Sequence, residues 1–157
     1  MQLGPLPLFA IVAGFEEIHR TSLAQLSGVL QTAGANSSSL VRRAAIAWQA
    51  PLEQLTCEQA RLLVGQGMGL RWLSQPVCAL LKLRPDAEVT LYAGDLARAV
   101  LERISDFIHY APESTREFLA GDFSWIDDLQ AADREFGDTS GEQAEQLLTA
   151  ARRAIAN

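Results

Sequence analysis

The chain has 157 residues, which is the size of one ordinary domain, and 48% of them are hydrophobic, as in a typical globular protein. No apolar run approaches the roughly 18 residues that a membrane span requires, so we expect no interaction with a membrane. The formal net charge of −6 disfavours nucleic acid as a partner, because such a partner calls for a basic surface.

The cysteines and the N-terminal segment bear on the cellular compartment. Cys57 and Cys78 have no CxxC spacing and no further cysteine partners, so the sequence predicts neither a zinc site nor a disulfide framework. The apolar stretch 3–13 follows no Lys or Arg and precedes no small-residue cleavage site. It is therefore predicted as a buried first element rather than a signal peptide, and we expect a cytoplasmic protein.

Hydrophobic periodicity and capping signals predict helices along the first half of the chain. The predicted helices there cover residues 15–30, 40–48, 56–64 and 70–83. Thr56 and Gln59 have the capping-box spacing, in which each side chain accepts a hydrogen bond from the other residue's main-chain N–H. Gly65 is predicted to follow the helix end in a left-handed conformation.

The glycines at 65, 67 and 69 raise the alternative of a phosphate-binding loop. Such a loop needs a strand before it and a fitting spacing after it, whereas here the preceding segment is predicted to be helical. No Lys-Ser/Thr pair follows, as it would in a Walker loop, and Lys82 lies far downstream. The glycines, with Gly69 before the next helix, are interpreted as a connection between two helices.

The second half of the chain continues the helical pattern. Asp95 is predicted to cap a helix over 96–109, and further helices are predicted over 114–120, 124–136 and 141–156. Residues 89–92 form the one candidate strand, which is too short to build a sheet alone. The sequence therefore predicts an all-α fold in which residues 1–157 form a single multi-helix domain.

Acidic residues are concentrated between positions 113 and 145. Ten acids stand there against Arg116 and Arg134, so this acidic segment carries −8, more than the net charge of the chain. One interpretation is a solvated helical face, and the other is a docking surface for a basic partner. Composition by itself favours the solvated face.

Two arrangements of side chains suggest chemistry. Glu16 with His19, and Asp106 with His109, have the carboxylate-x-x-His spacing of helical di-iron sites, although the further glutamates of such sites cannot be identified. With two histidines and no GxSxG motif, a serine or cysteine hydrolase is not predicted. The tryptophans have no cofactor motif around them and are interpreted as core or interface residues.

Several short motifs between residues 51 and 109 resemble a known family. They are Leu-Thr-Cys-Glu-Gln at 55–59, Arg-Leu-Leu-Val-Gly-Gln at 61–66, Gly-Leu at 69–70, Pro76 with Ala79 and Leu80, Tyr-Ala-Gly-Asp-Leu at 92–96, and Val-Leu at 100–101. Their order and spacing resemble the immunity proteins of bacterial contact-dependent growth inhibition systems. Ala97 departs from the family pattern, where a second leucine is usual, and the connection 83–88 is unusual.

The resemblance implies a cytoplasmic protein without catalytic residues, metal or cofactor. Its partner would be the C-terminal toxin domain of a large secreted effector, commonly a nuclease. A nuclease attracts polyanions, so an inhibitor that presents negative charge gains association rate, and the acidic segment would then be a contact surface. The candidate toxin-binding residues are Asp122, Phe123, Trp125, Asp127, Asp128, Asp133, Glu135 and Asp138.

The motif residues themselves are interpreted as scaffold. They are Thr56, Gln59, Gly65, Gln66, Gly69, Tyr92, Gly94 and Asp95. Two alternatives to a toxin-neutralising protein remain open, namely a small helical metalloprotein of the di-iron carboxylate type and a helical adaptor unrelated to toxins.

Overall fold

Helices make up nearly all of the regular structure in a computed structural model, which describes residues 2–157. The helices of this part are α1 (Leu8–Ile11), α2 (Leu23–Ser27), α3 (Ser39–Gln49), α4 (Cys57–Gly65), α5 (Leu70–Leu83), α6 (Asp95–Glu102), α7 (Ile104–Tyr110), α8 (Pro112–Leu119), α9 (Ser124–Phe136) and α10 (Ser140–Ala156). Short 3₁₀ turns lie at Glu16–Ile18 and Leu52–Gln54. The predicted all-α fold is confirmed.

The capping box predicted at the start of α4 is present. The hydroxyl of Thr56 accepts the main-chain N–H of Gln59 at 3.1 Å, and the Gln59 side chain accepts the N–H of Thr56 at 3.0 Å. This reciprocal pair starts α4 as predicted. Helices α5 and α9 also have the bounds that the sequence predicts.

Two predicted helices are wrong in extent. The helix predicted over 15–30 is reduced to a 3₁₀ turn and the short α2, which ends at Gly28 with a φ of 71°. The helix predicted over 96–109 is divided at Arg103, whose φ of −116° and ψ of 24° lie outside the helical range. The Arg103 guanidinium donates a hydrogen bond to the carbonyl of Gly65 at 2.8 Å, which attaches this break to the end of α4.

The glycine-rich connection joins two helices, as predicted, but its left-handed residues are not the predicted ones. Gly65 is the last residue of α4, and the capping position is held by Gln66 with a φ of −87°. The positive φ values belong to Gly67, at 68°, and to Gly69, at 69°. The prediction of a left-handed Gly65 is therefore wrong, because the chain turns after this residue rather than at it.

The segment before α6 also differs from its prediction. Residues 89–92 form no strand, and only an isolated bridge joins Glu88 to Ala93. Asp95 does not cap the helix either, because Gly94 occupies the cap position with a φ of 92° and Asp95 is the first helical residue. The carboxylate of Asp95 instead accepts the main-chain N–H groups of residues 89–91, which are then not free to pair with a strand.

One hydrophobic core receives side chains from helices along the whole described chain. Helix α5 packs against α1, α4, α7 and α8, while α10 packs against α6, α7, α8 and α9. This arrangement places α3, α4 and α6 side by side on one part of the surface, and α9 on another. No helix within residues 2–157 has the length and apolar character needed to span a membrane.

Candidate functional site

A groove with a volume of about 450 Å³ lies between α3, α4, the loop before α6, and α6 itself. We call it the α3–α6 groove. Its lining comprises Leu40, Arg43, Glu58, Arg61, Leu62, Gly65, Gln66, Thr90, Leu91, Tyr92, Asp95, Arg98, Ala99 and Glu102.

Some of the motif residues of the family resemblance line this groove, while others lie in the core. Arg61, Leu62, Gly65 and Gln66 come from α4 and its C-terminal cap, whereas Tyr92 and Asp95 come from the segment that leads into α6. Sequence reasoning treated Gly65, Gln66, Tyr92 and Asp95 only as scaffold and missed that they share a surface. The sequence pattern that could have indicated this surface is helical spacing, because positions 58, 61, 62 and 65 lie on one face of a helix.

Asp95 fixes the wall of the groove. Its side chain is 0% exposed. Oδ1 accepts the N–H of Val89 at 2.9 Å, and Oδ2 accepts those of Thr90 and Leu91 at 2.8 and 2.7 Å. Three main-chain donors on one carboxylate compensate its removal from water and give the loop a defined conformation.

Arg61 approaches the same carboxylate without a hydrogen bond. Its Nε lies 3.5 Å from Oδ2 of Asp95, and among residues 2–157 this buried Nε has no hydrogen-bond partner. Oδ2 already accepts two main-chain N–H groups, which occupy its two lone pairs. The attraction between the Arg61 and Asp95 charges therefore holds the guanidinium at the groove. The Arg61 side chain remains 27% exposed, so its N–H donors are accessible to another group.

Arg98 connects the groove to the C-terminal helix. Its guanidinium donates to Glu102 Oε1 at 3.2 Å, to Gln143 Oε1 at 2.9 Å and to the carbonyl of Ser140 at 3.3 Å. Burial lowers the pKa of Arg98, but Tyr92 and Glu102 outweigh that effect, and the pKa is raised overall. Arg98 therefore remains charged and joins α6 to α10.

The predicted toxin-binding residues divide into exposed and buried groups. The exposed carboxylates are Asp122, Asp127, Asp128, Glu135 and Asp138. Phe123 is half-buried, with the Arg152 guanidinium 5.3 Å from its ring centre. We call the five exposed carboxylates the acidic face, because they lie on α9 and on the residues that flank it.

Trp125 and Asp133 are not surface residues, which contradicts their assignment as contacts. Trp125 is 2% exposed, and its ring lies so close to Gly94 that there is no room for a Cβ atom at that glycine. Asp133 accepts the main-chain N–H of Gly141 and so satisfies a donor in the first turn of α10. The exposed aromatic residue of α9 is instead Phe136, with 79% exposure.

The histidines and cysteines do not assemble into a reactive site. Residues 2–157 contain no group of three or more His, Cys, Asp or Glu side chains placed to hold a metal ion, so the two carboxylate-x-x-His pairs are not brought together. The His19 ring packs edge-on against Phe9, at 5.6 Å between ring centres. Burial raises the pKa of Cys57 to about 11 and that of Cys78 to about 12, which keeps both thiols protonated at neutral pH.

No family model, characterised protein or solved structure matches the chain. The resemblance to the immunity proteins therefore rests on the short motifs between residues 51 and 109.

Proposed function

We propose that this chain is an immunity protein that binds and neutralises the toxin domain of a bacterial contact-dependent growth inhibition effector. It acts by binding in the cytoplasm, without catalysing a reaction, and covers the active or substrate-binding surface of the toxin. The partner we expect is a toxin domain with a basic surface, such as a nuclease domain.

A surface shared by several motif residues is the observation that carries this proposal. Two groups of motif residues that are far apart in sequence, one around Arg61 and Gln66 and one at Tyr92 and Asp95, line the same α3–α6 groove. Core packing alone does not require motif residues to share a concave, partly exposed surface. The groove is lined by arginines and by Tyr92, and these two residue types are enriched at protein–protein interfaces.

The acidic face supports a role in association. Its five exposed carboxylates lie near one another in sequence, between Asp122 and Asp138. Charges at the rim of an interface act mainly on the association rate, and their effect is reduced by salt because the Debye length is about 8 Å at physiological ionic strength. The acidic face would thus attract a basic toxin before the closer contacts form.

A growth assay tests the function directly. On this proposal we expect the gene of the chain to lie directly behind that of a large secreted protein, and the C-terminal domain of that protein is expressed in cells with and without the chain. We expect growth to be restored only when the chain is present. Cells that die equally in both cases would refute the proposal.

A charge reversal tests the acidic face. Replacing Asp127 and Asp128 together by lysine should slow association with the toxin domain on the order of tenfold at low salt and flatten its salt dependence. Stopped-flow or surface-binding kinetics at several ionic strengths measure both effects. The folding of the variant is checked by its circular dichroism and melting curve.

The matched control changes net charge equally at another place. Glu16 and Glu17 are adjacent exposed acids outside the acidic segment, and their joint replacement by lysine alters the net charge by the same amount. If the two double variants associate at the same rate, the acidic face has no local role and is a solvated surface. If only the Asp127 and Asp128 variant slows, the toxin approaches this face.

A further inference from the structure

Residues 2–8 bind the start of α4 through their main chain. The carbonyl of Leu6 accepts the N–H of Cys57 at 2.8 Å, and the carbonyl of Gly4 accepts the N–H of Glu58 at 3.0 Å. These are two of the N–H groups that a helix cannot satisfy within itself. We call residues 2–8 the N-terminal strap. The strap is thereby attached to the helix that forms one wall of the α3–α6 groove.

The strap also binds the loop before α6, which forms another wall of the groove. The N–H of Leu3 donates to the carbonyl of Glu88 at 2.8 Å, and the side chain of Gln2 donates to the carbonyl of Thr90 at 3.4 Å. The main-chain N–H groups of the same loop donate to Asp95. The loop is therefore held by Asp95 through its N–H groups and by the strap through its carbonyl groups.

Gly4 leaves no space between the strap and this loop. A Cβ atom at this glycine would overlap the carbonyl oxygen of Val89 and would lie 3.6 Å from the Cβ atom of Glu58. The φ of Gly4 lies outside the left-handed region, so the lack of space alone excludes a side chain. The strap cannot easily move away, because Leu3 is buried in the core. A side chain at Gly4 would therefore displace Val89 and the loop that follows it.

We propose that the N-terminal strap sets the position of the groove wall for toxin binding, with Gly4 as a positioning residue. The inference rests on the proposed function, in which the α3–α6 groove contacts the toxin. The strap acts through the loop 89–91, where Thr90 and Leu91 line the groove, rather than through contact with the toxin. Two sites that bias one element are coupled reciprocally, so toxin binding should in turn stabilise the strap.

A first experiment needs no toxin. The ¹⁵N-labelled Gly4→Ala variant should show shifted amide signals for residues 89–91, and hydrogen exchange of these amides should be on the order of tenfold faster than in the wild type. Gly14→Ala is the matched control, because Gly14 has a φ of 95° but nothing lies within 4 Å of an added Cβ atom. This control should lower stability through backbone strain without shifting the signals of residues 89–91.

A second experiment measures affinity for the toxin domain at a temperature where circular dichroism shows both variants to be folded. Gly4→Ala should raise the Kd about tenfold, within the range of roughly 5–150-fold that is typical of coupled sites, and Gly14→Ala should raise it less than about twofold.

A third experiment uses only the wild type, so it applies even if Gly4→Ala does not fold. Toxin binding should slow hydrogen exchange at the amides of Leu3, Cys57 and Glu58, which form the hydrogen bonds of the strap. The control is Leu26 in α2, a helix that contributes no residue to the groove lining, and its exchange should slow less.

The outcomes separate this inference from the proposed function. Unchanged signals of residues 89–91 in a folded Gly4→Ala variant would overturn the role of the strap. Equal toxin affinity of this variant and the wild type would also overturn it, as would protection of the strap amides no greater than that of Leu26. In these cases the chain still binds the toxin, and the immunity function stands. A wild-type chain that does not bind the toxin domain at all refutes the proposed function, and the role of the strap in binding with it.

Discussion

Replacing Asp95 by alanine should destabilise the protein far more than the loss of a helix cap. The native carboxylate accepts three main-chain N–H groups at 2.7–2.9 Å and has no exposure to solvent. A hydrogen bond to a charged group contributes about 1.5–3 kcal/mol, which gives an upper bound of about 9 kcal/mol for three. Thr90 and Leu91 lie near the surface, so in the variant their N–H groups can donate to water instead. We therefore expect the free energy of unfolding to fall by about 3–5 kcal/mol.

Urea unfolding followed by circular dichroism measures this loss, with the slope of the transition checked for constancy. Asp95→Asn should cost about 2–3 kcal/mol, because the amide keeps the shape but provides one acceptor oxygen in place of two. Asp106→Ala, at an exposed position in the first turn of α7, is the control and should change stability by less than about 0.5 kcal/mol. A loss near 1 kcal/mol for Asp95→Ala, the usual contribution of a helix cap, would refute the assigned hydrogen bonds.

Two further predictions follow from the glycines and the thiols. Gly94→Ala should lower the melting temperature strongly or prevent folding, because the residue has a φ of 92° and a Cβ would overlap the Trp125 ring. Gly65→Ala, with open space around it, should leave stability unchanged or raise it by up to about 1 kcal/mol. Equal melting of the two variants would contradict the close packing of Gly94 against Trp125. Cys57 and Cys78, with pKa values raised to about 11 and about 12, should react with a thiol reagent at pH 8 only after denaturation, and rapid labelling of the native protein would show that they are accessible. Burial raises the pKa of both thiols above the ordinary value of 9.0, so between these pH values the thiols ionise in the unfolded chain but stay protonated in the folded one. Their contribution to stability should therefore be complete below pH 9 and decrease as the pH rises towards 11.

The candidate site was only partly predictable. Some residues of the α3–α6 groove, among them Gly65, Gln66, Tyr92 and Asp95, were named as motif positions but only as scaffold, and Thr56 and Gln59 were assigned their capping role correctly. The groove itself was not predicted, since it depends on how α3, α4 and α6 lie beside one another. Trp125 was named as a candidate toxin contact because acids surround it in sequence, although in space it is buried and packs against Gly94.

The sequence by itself determined that the chain is helical and where several of its longer helices begin and end, as for α5 and α9. Those features depend on hydrogen bonds and side-chain spacing within four or five residues, so the local pattern contains the necessary information. Only the tertiary structure decided that the carboxylate of Asp95 accepts the N–H groups of the loop 89–91, that Arg103, at the break between α6 and α7, bonds to Gly65, and that Trp125 is buried. Each of these depends on a side chain meeting a particular backbone group or neighbour outside its own helix, and helical periodicity does not specify which group it meets.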